Sequence, residues 1–203
     1  MPRTLCEVCG RPSAVCLCPY LVSLKTSTRV IILQHPSEQK QSLATVPIIQ
    51  QCLQGVEVWH GEDFSQDVRT QALISQASSV WVLYPSKQAQ SWCPSDTARP
   101  NVNTLIIIDG TWRKAKRIWH LNPWLGQFNQ ALLCEFPTTQ YRIRSSHVAN
   151  GLSTLETVSH SLNWLHQTDE FTALQKPFDA MIDMQIEKMG IDVFNAHYNK
   201  EMD

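Results

Sequence analysis

Four short apolar runs, each ending on a polar residue, alternate along the chain with segments of helical composition. The runs cover residues 29–34, 56–60, 80–84 and 104–109. They are rich in branched side chains and bounded by residues that break regular structure, which is typical of buried strands. Segments 43–53 and 66–77 lie between them and have helical composition. This alternation predicts an α/β fold in which helices cover both faces of a parallel sheet.

The second half of the chain continues the pattern less regularly. Residues 131–136 form another apolar run and predict a further strand, whereas residues 85–103 predict a long loop. An amphipathic helix is indicated by apolar residues at helical spacing, namely Leu155, Val158, Leu162 and Leu165. A last helical region, 171–189, contains Pro177 and is therefore expected to form two pieces.

The length and composition limit the class of protein. A chain of 203 residues that is 43% hydrophobic can bury one sizeable core, which favours one main domain with a small appendage. No run approaches the ~18 apolar residues of a membrane span, and the first residues lack the apolar stretch of a secretory signal. We therefore expect a cytoplasmic protein without membrane contact, and no obligate protein partner is evident from the sequence.

Four cysteines near the N-terminus predict a metal site. They form one Cys-x-x-Cys and one Cys-x-Cys half-site, with residues that favour tight turns between them, and they are Cys6, Cys9, Cys16 and Cys18. Zinc closes a four-sulfur site of this kind and can fold a segment too short for its own core. The sequence thus divides into a zinc-binding segment, 1–24, and a main domain, 25–203. Reduced or redox-active thiols are the alternative.

The remaining cysteines, Cys52, Cys93 and Cys134, stand in unrelated contexts. Because an isolated cysteine behaves as a small apolar residue, we expect all three to be ordinary packing residues.

The net charge of −1 hides a marked asymmetry along the chain. Between residues 110 and 147 there is one acidic residue, Glu135, whereas the basic ones are Arg113, Lys114, Lys116, Arg117, Arg142 and Arg144. From residue 148 onward acidic residues predominate. A basic face on a near-neutral protein favours selective contact with a polyanion, although solvated helix faces also carry such charges.

Asp109 closes the most apolar strand and is followed by Gly110, Thr111 and Trp112. Ligands of open parallel sheets gather at the carboxyl ends of strands, so this carboxylate is well placed for chemistry. Thr111 can cap the next helix and leave amide donors facing the same crevice. The alternative is that Asp109 only helps to cap the helix.

The helix after this turn has two faces. One stripe is expected to pack and contains Trp112, Ala115, Ile118 and Trp119. The other stripe, which we call the basic stripe, contains Arg113, Lys116, Arg117 and His120. Basic side chains that neutralise phosphates add affinity without sequence information, so this stripe predicts contact with a nucleic-acid backbone.

At this point the residues resemble a known family. Asp109-Gly110-Thr111-Trp112 after an apolar strand is similar to the Asp-x-Thr-Trp signature of the DTW-domain family. Other stretches agree in the same order: the cysteine cluster followed by Pro19-Tyr20-Leu21, then His35-Pro36-Ser37-Glu38, Tyr84-Pro85-Ser86 and Gly151-Leu152-Ser153-Thr154-Leu155-Glu156. The similarity covers the chain to about residue 163.

The resemblance implies a tRNA-uridine aminocarboxypropyltransferase with S-adenosyl-L-methionine as donor and methylthioadenosine as by-product. It also implies a SPOUT-like sheet whose C-terminal part is threaded as a trefoil knot. An RNA methyltransferase of similar architecture that uses the same donor, and a zinc-containing RNA-binding protein without catalysis, remain alternatives.

The resemblance also assigns roles to residues. Asp109 is the candidate base or imide-orienting acceptor for the uridine N3, since that nitrogen is a poor nucleophile until deprotonated; Thr111 and Trp112 belong to the same catalytic group. The predicted donor-binding residues are His35, Pro85, Ser86, Gly110, Leu152, Ser153, Thr154 and Glu156. From the sequence alone, residues 153–156 form a Ser-x-x-Glu capping box. The predicted RNA-binding residues are Arg113, Lys116, Arg117, Arg142 and Arg144.

Overall fold

The computed structural model describes residues 4–75, 79–137, 139–143 and 151–198. Within them, six strands form one sheet: β1 (Arg29–Gln34), β2 (Glu57–His60), β3 (Val80–Leu83), β4 (Gln90–Trp92), β5 (Thr104–Asp109) and β6 (Asn129–Leu133). All pairs of neighbouring strands are parallel, in the order β2-β1-β5-β3-β6-β4. The predicted α/β class with a parallel sheet is therefore confirmed.

In the described ranges six α-helices accompany the sheet: α1 (Val46–Cys52), α2 (Val68–Ser75), α3 (Trp112–Leu121), α4 (Thr154–His166), α5 (Gln175–Met189) and α6 (Ile191–Tyr198). Alternate side chains of the central strands point to opposite faces, so β1 contributes Ile32 to one apolar cluster and Ile31 to another. The first cluster includes residues of α1, α4 and α5, and the second includes residues of α2 and α3. Helices thus cover both faces, as predicted.

The strand predictions are accurate for β1, β2, β3 and β5 and inaccurate for β4 and β6. The predicted loop 85–103 contains β4, and β6 ends at Leu133 rather than at residue 136. β4 was missed because it has only three residues and two of them, Gln90 and Ser91, are polar and exposed. A short edge strand does not produce the apolar run that marks a strand buried on both faces.

The region 171–189 forms two pieces, as predicted, but the break is not at Pro177. A 3₁₀-helix covers Glu170–Leu174, and α5 begins directly after it at Gln175. Pro177 lies in the first turn of α5, where a missing backbone N–H removes no intrahelical hydrogen bond. None of the helices traced in the described part of the chain combines the length and apolar character that crossing a membrane requires.

Cys93 and Cys134 form a disulfide, so the expectation that both are ordinary apolar residues is wrong. Cys93 follows the last residue of the edge strand β4, and Cys134 follows the last residue of its neighbour β6; those last residues, Trp92 and Leu133, are partners in the parallel pairing of the two strands. The two cysteines are therefore side by side, with their Cα atoms 5.0 Å apart, within the range that a disulfide spans. Their separation of 41 residues leaves no local sequence signal. Cys52 is a free, buried residue of α1, as expected.

Candidate ligand cavity and metal centre

A cavity of about 670 Å³ opens at the carboxyl edge of the sheet. The ends of β3, β5 and β6 form its floor, and its walls come from residues 41–45, the start of α3 and the start of α4. Carboxyl edges of parallel sheets are the usual ligand sites of such folds, and the volume is that of a small-molecule site. The cavity is lined by eight of the predicted site residues: Pro85, Asp109, Gly110, Thr111, Trp112, Leu152, Ser153 and Thr154.

The carboxylate of Asp109 is fixed by hydrogen bonds from two different elements. Gln34 donates its amide Nε2–H to Asp109 Oδ2 over 2.8 Å, and the Thr154 hydroxyl donates to Oδ1. Gln34 and Asp109 are register partners at the ends of β1 and β5, and Gln34 is 2% exposed. The position of this carboxylate is thus defined by the sheet register and by the start of α4.

Gly110 allows α3 to approach the strand end closely. A Cβ atom at this position would lie 3.1 Å from the Cβ of Lys114, closer than ordinary van der Waals contact. Thr111 is the N-cap residue of α3, but its side chain makes no capping hydrogen bond, contrary to the prediction. Instead its backbone carbonyl accepts the N–H of Ala115 over 2.8 Å.

Trp112 does not belong to the packed stripe of α3. Its side chain is 50% exposed and lines the cavity, whereas Ala115 and Ile118 of the same predicted stripe are buried. Trp112 is the first residue of the helix and lies over the cavity rather than over the sheet, which explains the difference. An exposed indole at the entrance of a cavity offers a flat surface on which a ring can stack.

His35 lies next to the cavity floor but does not line the cavity. Its Nδ1 accepts the backbone N–H of Ser37, so in the neutral form the proton is on Nε2, which contacts Glu62 Oε1 at 2.7 Å. Glu62 also accepts a hydrogen bond from Arg117 Nε over 2.7 Å. These two partners, Arg117 foremost, hold the pKa of Glu62 below its usual value. His35 is thereby tied to α3 through a carboxylate.

Two further predicted donor-binding residues also lie outside the cavity lining. The hydroxyl of Ser86 donates to Gln130 Oε1 and accepts the backbone N–H of Gln88, which fixes the turn after β3. Glu156 is 1% exposed and completes the capping box of α4 with Ser153, as the sequence predicts.

The carboxylate of Glu156 is fully occupied by donors within the protein. It accepts the backbone N–H of Ser153 over 2.7 Å, that of Gln140 over 2.6 Å, and the hydroxyl of Thr139. These contacts attach residues 139–140 to the start of α4. Glu156 therefore stabilises the cavity wall at the start of α4 without lining the cavity itself.

Several lining residues were missed by the sequence analysis. Lys114 and Glu38 form an ion pair with an Nζ–Oε1 distance of 2.6 Å. Tyr84 stacks on Trp119 with ring centroids 4.2 Å apart, and burial raises the pKa of its hydroxyl, which stays protonated and can donate. Tyr141 donates its hydroxyl to the carbonyl of Leu43 over 3.2 Å. These contacts join positions distant in sequence, so no local motif marks them.

The basic stripe of α3 is exposed, as predicted. Its members Arg113, Lys116, Arg117 and His120 all face solvent. Of these, Arg117 is paired with Glu62. Arg142 is also exposed and is paired with Asp183 of α5. Arg144 lies outside the described residues.

The four N-terminal cysteines converge as a metal site requires. Cys6 Sγ lies 3.5 Å from Cys18 Sγ, Cys9 Sγ lies 3.7 Å from Cys16 Sγ, and all four sulfurs are within 4.8 Å of one another. A tetrahedral zinc with Zn–S bonds of about 2.3 Å requires sulfurs roughly 3.8 Å apart. The cluster could therefore hold a metal ion of this size.

The thiols of this cluster also influence one another. Backbone N–H groups of Cys9 and Val8 lower the pKa of Cys6 to about 6. Hydrogen bonding to Cys16 and Cys6 raises the pKa of Cys18 to about 12. One thiolate thus opposes the ionisation of the next, and four thiolates require a cation between them.

The fold and site define an α/β protein with a ligand cavity at the carboxyl edge of a parallel sheet and a four-cysteine cluster before it. The chain belongs to the DTW domain family, whose model matches residues 3–186.

Relatives from three organisms carry related names. The chain is 33% identical over 194 residues to "tRNA-uridine aminocarboxypropyltransferase 2" of Macaca fascicularis, which covers 91% of this chain and 64% of that protein. It is 33% identical over 207 residues to the Drosophila melanogaster protein of the same name, covering 98% of this chain and 80% of that protein. "tRNA-uridine aminocarboxypropyltransferase A" of Arabidopsis thaliana is 41% identical over 132 residues, covering 57% of this chain and 50% of that protein. No solved structure matches the chain significantly.

Proposed function

We propose that this protein transfers the 3-amino-3-carboxypropyl group of S-adenosyl-L-methionine to N3 of a tRNA uridine and releases methylthioadenosine. The observation that carries the proposal is the carboxylate of Asp109, fixed by Gln34 and Thr154 at the floor of a cavity that opens beside the basic stripe. The names of the relatives support the same reaction.

The lining suits a donor with an apolar ring system and a charged end. Leu83, Ile107 and Ala131 offer an apolar surface, and polar groups are concentrated around Asp109 and the starts of α3 and α4. Small-molecule sites commonly combine an apolar lining with a few fixed polar groups that set orientation. The adenosine part of the donor would occupy the apolar region, with its reacting carbon directed toward Asp109.

In the proposed reaction Asp109 accepts the imide proton of uridine, and the exposed indole of Trp112 stacks on the uracil ring. A bond forms between N3 and the donor carbon beside the sulfonium as the bond from that carbon to sulfur breaks. Sulfur keeps the electron pair and leaves as the neutral thioether of methylthioadenosine. The donor carbon is already electrophilic, so much of the acceleration comes from alignment.

The cysteine cluster is proposed to hold a structural zinc ion with all four positions filled by Cys6, Cys9, Cys16 and Cys18, which leaves no open position for substrate. The SPOUT-like trefoil knot remains a prediction from the resemblance, and an experimental backbone trace through residues 134–154 would test it. Arg113, Lys116 and Arg117 are proposed to contact tRNA phosphates, and Arg142 and Arg144 to extend that surface.

Nucleoside mass spectrometry tests the proposed reaction. Unmodified tRNA is incubated with the protein and S-adenosyl-L-methionine, and the expected result is a uridine that has gained one aminocarboxypropyl group, with methylthioadenosine in equal amount. A methylated nucleoside with S-adenosylhomocysteine would instead identify an RNA methyltransferase. Absence of both donor binding and modified nucleoside would favour an RNA-binding protein without catalysis.

A further inference from the structure

The ion pair of Lys114 and Glu38 lies on the cavity wall. Lys114 belongs to α3, and Glu38 ends the 3₁₀-turn Pro36–Glu38 that follows β1. Lys114 Nζ and Glu38 Oε1 are 2.6 Å apart, and the side chains are 22% and 19% exposed, respectively. Each charged group is thus largely withdrawn from water and faces a ligand-sized space.

This pair lines the same cavity as the carboxylate of Asp109. Gly110 directly follows Asp109, and a Cβ atom there would lie 3.1 Å from the Lys114 Cβ. The absence of a side chain at Gly110 therefore leaves room for Lys114, in the first turn of α3, on the wall of the same cavity.

Nearby carboxylates are already committed to donors of the protein. Glu156 accepts from Ser153, Gln140 and Thr139, and Glu62 accepts from His35 and Arg117. Among the described residues that line the cavity, Lys114 is the single cation, and the carboxylates are Glu38 and Asp109. A ligand with both a cationic and an anionic group can therefore pair its cation with Glu38 and its anion with Lys114.

We propose that Lys114 and Glu38 form the subsite for the zwitterionic α-amino acid end of the donor, a proposal that rests on the proposed function. Lys114 binds the α-carboxylate and Glu38 binds the α-ammonium group, so the resident ion pair opens and two new pairs replace it. The net charge of the cavity wall is unchanged by this exchange. A ligand with a charge of only one sign would leave the other member of the ion pair without a partner, and that charged side chain would stay largely buried and uncompensated.

The subsite holds the aminocarboxypropyl group while it is transferred. When the bond to sulfur breaks, the adenosine part is lost as methylthioadenosine, but the aminocarboxypropyl group keeps both of its charges. Contacts with Lys114 and Glu38 persist through that step and fix the reacting carbon against the uridine. The same contacts select donors that carry both charges.

Binding measurements with three ligands test the subsite. The ligands are S-adenosyl-L-methionine, its decarboxylated analogue, and methylthioadenosine, which lacks the amino acid end. Lys114→Met should weaken binding of the first roughly 10- to 100-fold, as expected for loss of a hydrogen bond between charged groups, and leave methylthioadenosine unchanged. The decarboxylated analogue should bind at least as well as before, because its ammonium group no longer competes with Lys114 for Glu38. Glu38→Gln should weaken both ligands that carry the ammonium group.

The matched control is the ion pair of Arg29 and Glu57, which has the same 2.6 Å separation but lies at the opposite end of the strands. Arg29→Met should leave all three affinities unchanged. A double variant with exchanged charges, Glu38→Lys with Lys114→Glu, separates recognition from stability. It should recover the thermal stability of the unaltered protein, yet bind S-adenosyl-L-methionine as weakly as the single variants, because the ligand charges now meet like charges.

The outcomes separate the subsite from the reaction. If the unaltered protein modifies tRNA with this donor but Lys114→Met binds the donor equally well, the subsite is refuted and the reaction stands. Recovery of donor affinity by the double variant would likewise refute it. If the unaltered protein binds no S-adenosyl-L-methionine, the proposed reaction itself is refuted, and the subsite with it.

Discussion

At the scale of single residues, the ends of two neighbouring strands, β5 and β1, determine the position of the Asp109 carboxylate. Asp109 was predictable because a carboxylate that ends a buried strand before a glycine is unusual, and the parallel sheet places it at the ligand edge. Gln34 ends the adjacent strand in the same way, but its hydrogen bond to Asp109 depends on strand order, which the sequence does not specify. Lys114 and Glu38, 76 residues apart, were missed for the same reason.

Asp109→Asn tests whether this carboxylate accepts the uridine proton. The amide keeps the size of the side chain but cannot accept a proton, so turnover should fall roughly 10²- to 10⁴-fold, with tRNA and donor affinities little changed. Single-turnover rate, donor binding and melting temperature are measured on the same preparation. A destabilised variant with a near-normal rate would show that Asp109 only caps the helix.

Gln34→Met tests the positioning of that carboxylate from the adjacent strand. Methionine has a similar length but no N–H, so Asp109 Oδ2 loses one donor, and the catalytic rate should fall about tenfold, the usual effect of one such hydrogen bond. The apparent affinity for the donor should stay the same, because Gln34 does not line the cavity. A reduction in donor affinity with an unchanged rate would contradict this assignment.

At the scale of elements, prediction succeeded where burial imposes a pattern. The long strands β1 and β5 are predicted to the residue, because they are central and bury residues on both faces. α3 has the predicted basic stripe, but Trp112 was assigned to the wrong face because the spacing alone cannot tell where the sheet below a helix ends. α6 follows α5 without a signature that marks it.

The salt dependence of tRNA binding tests the basic stripe. Among the described residues, Lys116 has no ion pair, whereas Arg117 is paired with Glu62. If Lys116 contacts one phosphate, Lys116→Gln should reduce the slope of log affinity against log salt by about 0.9. Arg117→Gln should reduce it by less, because Arg117 must leave Glu62 to reach a phosphate. An unchanged slope in both variants would identify the stripe as a solvated surface.

Glu156→Gln tests the start of α4. The carboxylate is buried and accepts three hydrogen bonds, and an amide in its place would direct an N–H group at one of these donors. The free energy of unfolding should fall by about 1–3 kcal/mol, with donor affinity per folded molecule retained. Chemical denaturation and donor titration measure the two effects. Lost donor affinity at unchanged stability would instead support a direct contact between Glu156 and the donor.

At the scale of the whole molecule, the cysteine segment is connected to the wall of the cavity. Arg11, between the two half-sites of the cluster, donates from Nη2 to the carbonyl of Ser42 over 3.3 Å, and its Nη1 contacts Met181 Sδ of α5 at 3.5 Å. Ser42 lines the cavity. The segment is therefore positioned to influence donor binding, although no cysteine reaches the cavity lining.

Removal of the metal should therefore affect more than stability. A chelator that extracts the ion removes the bonds that hold the four cysteines together, so the segment opens, the contact between Arg11 and Ser42 is lost and residues 41–45 lose a support. The melting temperature should fall, and donor affinity should fall with it, both recovering when zinc is restored. Arg11→Met separates the two effects, because it removes the contact with Ser42 and leaves the four cysteines in place: metal content should stay at one ion per chain while donor affinity is weakened. Unchanged donor affinity in both the metal-free protein and Arg11→Met would show that the cysteine segment only stabilises the fold.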